Sequence, residues 1–272
     1  VLFLVSCIFA FSGCDTFFGE HVWLNAPVET DNAHDGLVVI RASKIKNSSG
    51  GALSYLGTYA SSAKANEWPQ LRVALNYDFS LGAHEVTCAE FKRVMGTTFD
   101  ERCRGEDSDL LPVTKVTYFD VVLFVNERSK LEGYDTAYTY SSTAFDAAGN
   151  CVSMEGLLFH PEVDAFRLPT EAEWLMAADR DWNPSAEWNA QNSGFEPKKV
   201  CSYPRLHGDF CDMSGNVKEW VSDWLGYFKD TTITNYVGAP DGGSLGERVL
   251  KGNRRSEERR VGKECKTRWS PY

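Results

Sequence analysis

Phe166-Arg167-Leu168-Pro169-Thr170-Glu171-Ala172-Glu173-Trp174 is followed further along by Asp212-Met213-Ser214-Gly215-Asn216-Val217-Lys218-Glu219-Trp220. The first run reads as an extended stretch stopped by Pro169. Thr170 and Glu173 then stand at capping-box spacing, in which the hydroxyl and the carboxylate each close a free amide of the first helical turn. This predicts a helix starting at Thr170. Trp174, Ala177 and Ala178 form its apolar stripe, and Asp179-Arg180 its polar tail. By itself the run describes a well-capped core helix.

The second run gathers two carboxylates, Asp212 and Glu219, around the flexible backbone of Gly215, with Trp220 as an anchor behind them. Calcium takes carboxylate and backbone carbonyl oxygens in irregular loops, so the Asp212 and Glu219 side chains with the Gly215 and Val217 carbonyls could make one cage. A Gly-Asn turn leading into a Trp-anchored strand accounts for the same residues without a metal. No EF-hand pattern is present.

In this order, the two runs resemble the formylglycine-generating enzyme, or sulfatase-modifying factor, family. Other stretches resemble it too. Gly36–Ile40 with Leu56-Gly57-Thr58 is similar to the family's opening strand pair. Tyr77-Asp78-Phe79 through Glu85-Val86-Thr87 to Phe91 is similar to its next strand and helix, and Leu111-Pro112-Val113 through Asp120 to its approach to a second helix. The resemblance covers residues 36–254. It implies an α+β domain with a C-type-lectin-like fold, irregular loops, few helices and structural calcium.

Carried over residue by residue, the resemblance places one calcium site on Asp212, Gly215, Val217 and Glu219. Asn192, with Ser193, falls where a second family site would begin, but the stretch from Gly194 to Val200 lacks the acidic loop that would complete it. Lys218 stands where many members carry an aromatic residue beside the substrate groove. The family activity is oxidation of a sulfatase cysteine to formylglycine, using oxygen and a copper ion held by paired cysteines. Arg248–Gly252 resembles the late strand leading toward those cysteines, which do not follow it here, so no catalytic residue is assigned. Two expectations result. One is a family oxidase lacking its reactive region; the other is a non-catalytic, calcium-stabilised surface module binding a protein or glycan.

The run Arg255-Ser256-Glu257-Glu258-Arg259-Arg260-Val261-Gly262-Lys263-Glu264-Cys265, ending Arg268-Trp269-Ser270-Pro271-Tyr272, resembles translated sequencing adapter. Residues 255–272 are therefore set aside, Cys265 with them. A basic, solvated tail or a nucleic-acid contact is the competing account. Without these residues the formal charge moves from −10 to about −13, which argues against a nucleic-acid partner. Such acidity suits a soluble surface protein and leaves room for cations.

At the other end, residues 1–13 form an apolar run too short to span a bilayer, passing into small residues and Cys14. This resembles a bacterial lipoprotein signal. It predicts lipidation of Cys14, a polar tether over 14–35 and attachment to the cell envelope through a membrane anchor. A buried apolar strand is the alternative.

Export would place Cys88, Cys103, Cys151, Cys201 and Cys211 in an oxidising compartment. Cys201 and Cys211 could bridge a loop beside the acidic turn, and Cys88 could reach Cys103, although spacing does not decide connectivity. Thr117–Lys130 reads as an amphipathic helix burying Tyr118, Val121, Val122 and Val125, stopped by Gly133. Tyr134–Tyr140 and Asp146–Cys151, with a turn at Gly149-Asn150, read as a hairpin whose tyrosines could line a groove or pack across strands. Gly242-Gly243-Ser244-Leu245-Gly246 matches a hydrolase nucleophile elbow in letters only. It sits in a loop, and all five histidines precede it. The histidines are scattered, without metal-ligand spacing.

Overall fold

The computed structural model describes residues 29–32, 36–59, 61, 63–97, 100–178, 188–203, 209–240, 246–252 and 260–263. The apolar leader, Cys14, Asp179-Arg180, Gly242–Leu245 and Cys265 lie outside the described residues. The elements run β1 (Thr30–Asn32), β2 (Leu37–Ile40), β3 (Ala52–Leu56), β4 (Leu71–Leu75), β5 (Phe79–Gly82), α1 (Cys88–Met95), α2 (Tyr118–Leu131), β6 (Tyr138–Thr139), β7 (Ser142–Phe145), β8 (Cys151–Glu155), β9 (Leu158–Phe159), α3 (Glu171–Ala178), α4 (Ala190–Ser193), β10 (Glu219–Trp224), β11 (Thr232–Thr234), β12 (Glu247–Lys251) and β13 (Arg260–Lys263). Small sheets and few helices make this an α+β, C-type-lectin-like fold.

The strands form three three-stranded sheets, β1-β2-β5, β11-β4-β3 and β10-β12-β13, and two two-stranded ladders, β6-β9 and β7-β8. All pairings are antiparallel except β11 with β4. The expected opening pair is split. The strand after Gly36 pairs with β1 and β5, whereas the strand ending at Leu56 pairs with β4. Alternating burial along β2 and β3 gives each strand one core face, and both faces pack into one core although the strands belong to different sheets.

Each of the three longer helices starts with a reciprocal cap. Thr87 with Glu90 opens α1, and Thr117 with Asp120 opens α2. Thr170 Oγ1 accepts from the Glu173 amide at 3.1 Å while Glu173 Oε2 accepts from the Thr170 amide at 2.7 Å. The expected start of α3 is therefore observed, but not its one-sided stripe: all eight residues of α3 are buried. A helix enclosed on every side is a core helix. In α2, Tyr118, Val122 and Val125 are buried as expected. Val121 is only partly buried, and Phe119 and Phe124 extend the covered surface.

Two apolar cores result. One gathers β3, β4, α3, β10 and β12 around Trp174, Leu56, Val73 and Val221; the other gathers α1, α2 and β8 around Phe91, Phe124, Tyr138 and Met154. Phe91 stacks on Phe124 with ring centroids 5.3 Å apart. Arg248 fastens β12 to both cores. It donates to the Ser222 carbonyl at 2.6 Å and lies over the rings of Trp224 and Tyr118.

The hairpin forms with different arms. β7 and β8 flank the turn, where Asp146 Oδ1 accepts from the Ala148 and Asn150 amides, and Gly149 takes φ +90°. Tyr138 belongs instead to β6, paired with β9, and stacks on Phe159 at 4.9 Å. Of the two roles open to these tyrosines, Tyr138 packs across strands and Tyr134 lines a groove. Among the described residues no helix is long and apolar enough to cross a membrane.

Candidate metal centre and adjoining groove

The turn before β10 is built by backbone that bends sharply. Asp212 and Asn216 adopt left-handed φ values of 59° and 52°, and the Gly215 amide donates to the Asp212 carbonyl at 3.2 Å. Asn216 holds the far side through its amide, which donates to the Trp188 carbonyl, and through its side chain, which bonds both the amide and the carbonyl of Lys198. Cys201 and Cys211 form a disulfide, and the Cys201 amide donates to Asp212 Oδ2 at 2.7 Å. Cys88 and Cys103 form the second bridge, leaving Cys151 as a buried thiol.

Asp212, Gly215 and Val217 are buried, and Glu219 opens β10 with its carboxyl group enclosed. Trp174 Nε1 donates to Glu219 Oε2 at 3.0 Å, so the indole of the first quoted run touches the acid of the second. β12 closes the site from the opposite side. Gly252 takes φ +80°, and a Cβ there would lie 2.7 Å from the Val217 carbonyl oxygen and 3.4 Å from Glu219 Oε1. The space in front of these two oxygens thus depends on glycine twice over, through its φ and through the missing Cβ.

A third acid joins them. The Cys211 amide donates to the Ala83 carbonyl at 2.8 Å, which lays the segment after β5 against the turn and brings Glu85 to Asp212 and Glu219. Glu85 is 7 % exposed, and neither of its carboxylate oxygens accepts a well-formed hydrogen bond, although the Glu85 and Val217 amides lie nearby. Burial pushes the Glu85 carboxyl well above the usual carboxylate range, and the neighbouring charges of Asp212 and Glu219 push it further. Burial likewise pushes Glu219 up to about 7, with Asp212 adding to the effect and the Trp174 bond opposing it. Acids crowded together raise one another's proton affinity, and a bound cation reverses that.

The donor set fits calcium. Asp212 and Glu219 with the Gly215 and Val217 carbonyls supply hard oxygens, and the Gly252 cradle leaves room in front of Val217 and Glu219. Among the described residues no three His, Cys, Asp or Glu side chains converge tightly enough to make a cage alone, so backbone carbonyls would have to complete the coordination. Asn192 sits in α4, where its Oδ1 accepts from the Asn189 amide at 2.7 Å while Asn189 Oδ1 accepts from the Asn192 amide at 3.3 Å. That reciprocal turn ties Asn192 to Asn189 within its own segment.

Copper does not fit the described residues. Four of their five cysteines are bridged, and Cys151 is alone.

Next to the acids a groove of about 890 Å³ runs between the two cores. Tyr77, Val116 and Phe166 wall it, and Arg128, Tyr134 and Lys218 reach it. Its floor is a buried ion pair: Arg167 donates to both oxygens of Glu173, at 2.7 and 2.8 Å, and Tyr77 donates its hydroxyl proton to Glu173 Oε1 at 2.8 Å. Arg167 and these bonds hold Glu173 below its usual carboxylate range despite the opposing effect of burial.

Sequence reasoning passed over Glu85, Gly252 and the Trp174 contact, because each depends on a partner distant in the chain. A short-range signal existed only for Glu85, an acid with no lysine or arginine close by, just before the capping box of α1.

Comparison with known proteins agrees with this architecture. The solved structure of Treponema denticola variable protein 1 superposes with a TM-score of 0.60 at 22 % identity, covering 78 % of this chain and 90 % of that one, which shows a shared fold. The chaperone protein LppX of Paenibacillus barcinonensis is 27 % identical over 179 residues, 54 % of this chain and 62 % of LppX. The serine/threonine-protein kinase pkn1 of Chlamydia caviae is 36 % identical over 198 residues, 65 % of this chain but 28 % of the kinase. The chain thus spans less than two thirds of LppX and of the kinase. The sulfatase-modifying factor enzyme 1-like domain matches residues 49–270, beginning after the expected residue 36 and running past residue 254. With its capped α3, acidic turn and late β12 strand, the chain belongs to the sulfatase-modifying factor enzyme 1-like domain family.

Proposed function

We propose that this protein is an exported, lipid-anchored member of the family that works as a calcium-stabilised binding module for a surface protein or glycan. The observation that carries the reading is the enclosed acid turn beside a groove whose nearby thiols are bridged or buried. Calcium would be held by Asp212, Gly215, Val217 and Glu219, with Asn192 as the one residue offered toward a second site. Its role would be to neutralise the buried carboxylates and fix the groove wall at Lys218 and Trp220. Cys14 would carry the lipid, placing the domain at the bacterial cell envelope.

The family oxidase reaction on a sulfatase polypeptide would need a copper-binding thiol pair. The described residues do not supply one. The test pairs two assays on the whole chain. Incubation with a cysteine-containing sulfatase peptide and copper is expected to leave the thiol intact by mass spectrometry, whereas thiol-to-aldehyde conversion would overturn the module reading. Screening against peptide and glycan arrays is expected to yield a ligand whose binding weakens in Tyr134→Ala and Lys218→Glu.

A further inference from the structure

Glu85 has no place in the ligand set above, yet it is the acid that the fold treats worst. It is more than nine tenths buried, both its oxygens lack well-formed hydrogen bonds, and the charges nearest to it are negative. An orphaned buried carboxylate costs several times what a typical hydrogen bond contributes, so such a group is retained where something outside the chain satisfies it. Lys251, the cation on the adjoining strand, donates to Glu171 at 3.3 Å and not to Glu85. A water molecule alone would satisfy the Glu85 oxygens but leave its charge beside those of Asp212 and Glu219.

We propose that Glu85 is a third acidic member of the cation site, facing the ion through bound water from the segment between β5 and α1. The water follows from geometry: among the described residues no three acidic side chains converge closely enough for all to touch one ion, whereas calcium commonly keeps water among its ligands. This deepens the calcium reading and rests on it. The ion would then tie together the Ala83–Glu85 segment, the turn before β10 and the end of β12 at Gly252. These meet through the Cys211-to-Ala83 hydrogen bond and the close approach of Gly252 to Val217.

The experiment compares the full chain with Glu85→Gln and Glu219→Gln, using calcium-dependent melting, terbium emission sensitised through Trp174, and europium emission lifetimes in light and heavy water. Glu85→Gln keeps the shape and removes one charge. It is expected to raise the melting temperature in chelator, to shrink the gain that calcium gives, and to weaken terbium binding about tenfold or more. Europium should retain as many directly bound waters as in the parent. A purely structural role would instead lower the melting temperature equally with and without calcium. Should Glu85→Gln fail to accumulate, Glu85→Met provides an independent test of the same signs.

Unchanged terbium affinity and calcium gain in Glu85→Gln, with both lost in Glu219→Gln, would overturn the role of Glu85 and leave the calcium site standing. Extra directly bound waters on europium would overturn the water-mediated geometry. No calcium gain and no sensitised terbium in the parent chain would overturn the calcium reading and this inference together.

Discussion

Two buried carboxylate sites are joined through Trp174, which follows Glu173 and donates to Glu219, and are solved in opposite ways. At the start of α3, Glu173 is enclosed with a two-pronged Arg167, the Tyr77 hydroxyl and the Thr170 amide, and its proton affinity falls. At the turn before β10, Glu219 and Glu85 are enclosed with each other and Asp212, and their proton affinities rise. Burial is common to both, so the difference is the partner. The first site contains its own cation; the second, we propose, takes one from solution.

The strongest way to break the comparison is to make the first site resemble the second. Arg167→Met strands Glu173 in the interior and should lower stability by about 3–5 kcal/mol, the usual cost of halving a buried pair. Denaturant melts would measure it. Arg167→Met with Glu173→Gln should recover part of the loss, since no charge is then left unpaired. Equal stability of the single and double variants would contradict the role assigned to the pair.

Next in size is the scaffold of the second site. Cys211→Ser opens the bridge to Cys201 and slackens the backbone that donates to Asp212. A loss of about 2–4 kcal/mol is expected by thermal or chemical unfolding. Calcium response should fall more than with Cys88→Ser, which opens the bridge at the start of α1 and leaves the amide bond to Asp212 in place.

Acid should distinguish the sites as well. The folded-state value of Glu173 lies below its unfolded value, so its contribution is present above about 4.3 and is lost as pH falls through the folded value. Melting temperature should therefore drop on acidification below that range in the parent and change less in Glu173→Gln. The smallest effect expected is Thr170→Ala. It removes one half of the cap of α3 and should cost about 1 kcal/mol with calcium response unaltered.

The two sites also differed in how far they could be read from sequence. The α3 cap is local, four residues whose spacing states the hydrogen bonds, and it is present as expected. The acidic turn was legible as two acids around a glycine. A calcium cage was readable there as a candidate and was strengthened by the resemblance, whereas Glu85, Gly252 and Trp174 arrive from three other parts of the chain. The hairpin shows the same limit on a smaller scale. Gly149-Asn150 marked the turn, but Ser142–Phe145 lacks the apolar alternation that announces a strand, and four-residue β7 is mostly exposed. Tyr138, which looked like an arm of that hairpin, was drawn inward by Phe159 and by Asn126, which bonds both the amide and the carbonyl of Tyr138.

The most direct test of the contrast is one thermal melt of the parent chain and of Asp212→Asn, each in excess calcium and in chelator. If the second site is completed by an ion, calcium at a hundred times its dissociation constant should add about 2.7 kcal/mol to the parent, seen as a higher melting temperature, and little to Asp212→Asn. Identical melting of the parent in calcium and in chelator would contradict the account and leave the acidic turn as a turn.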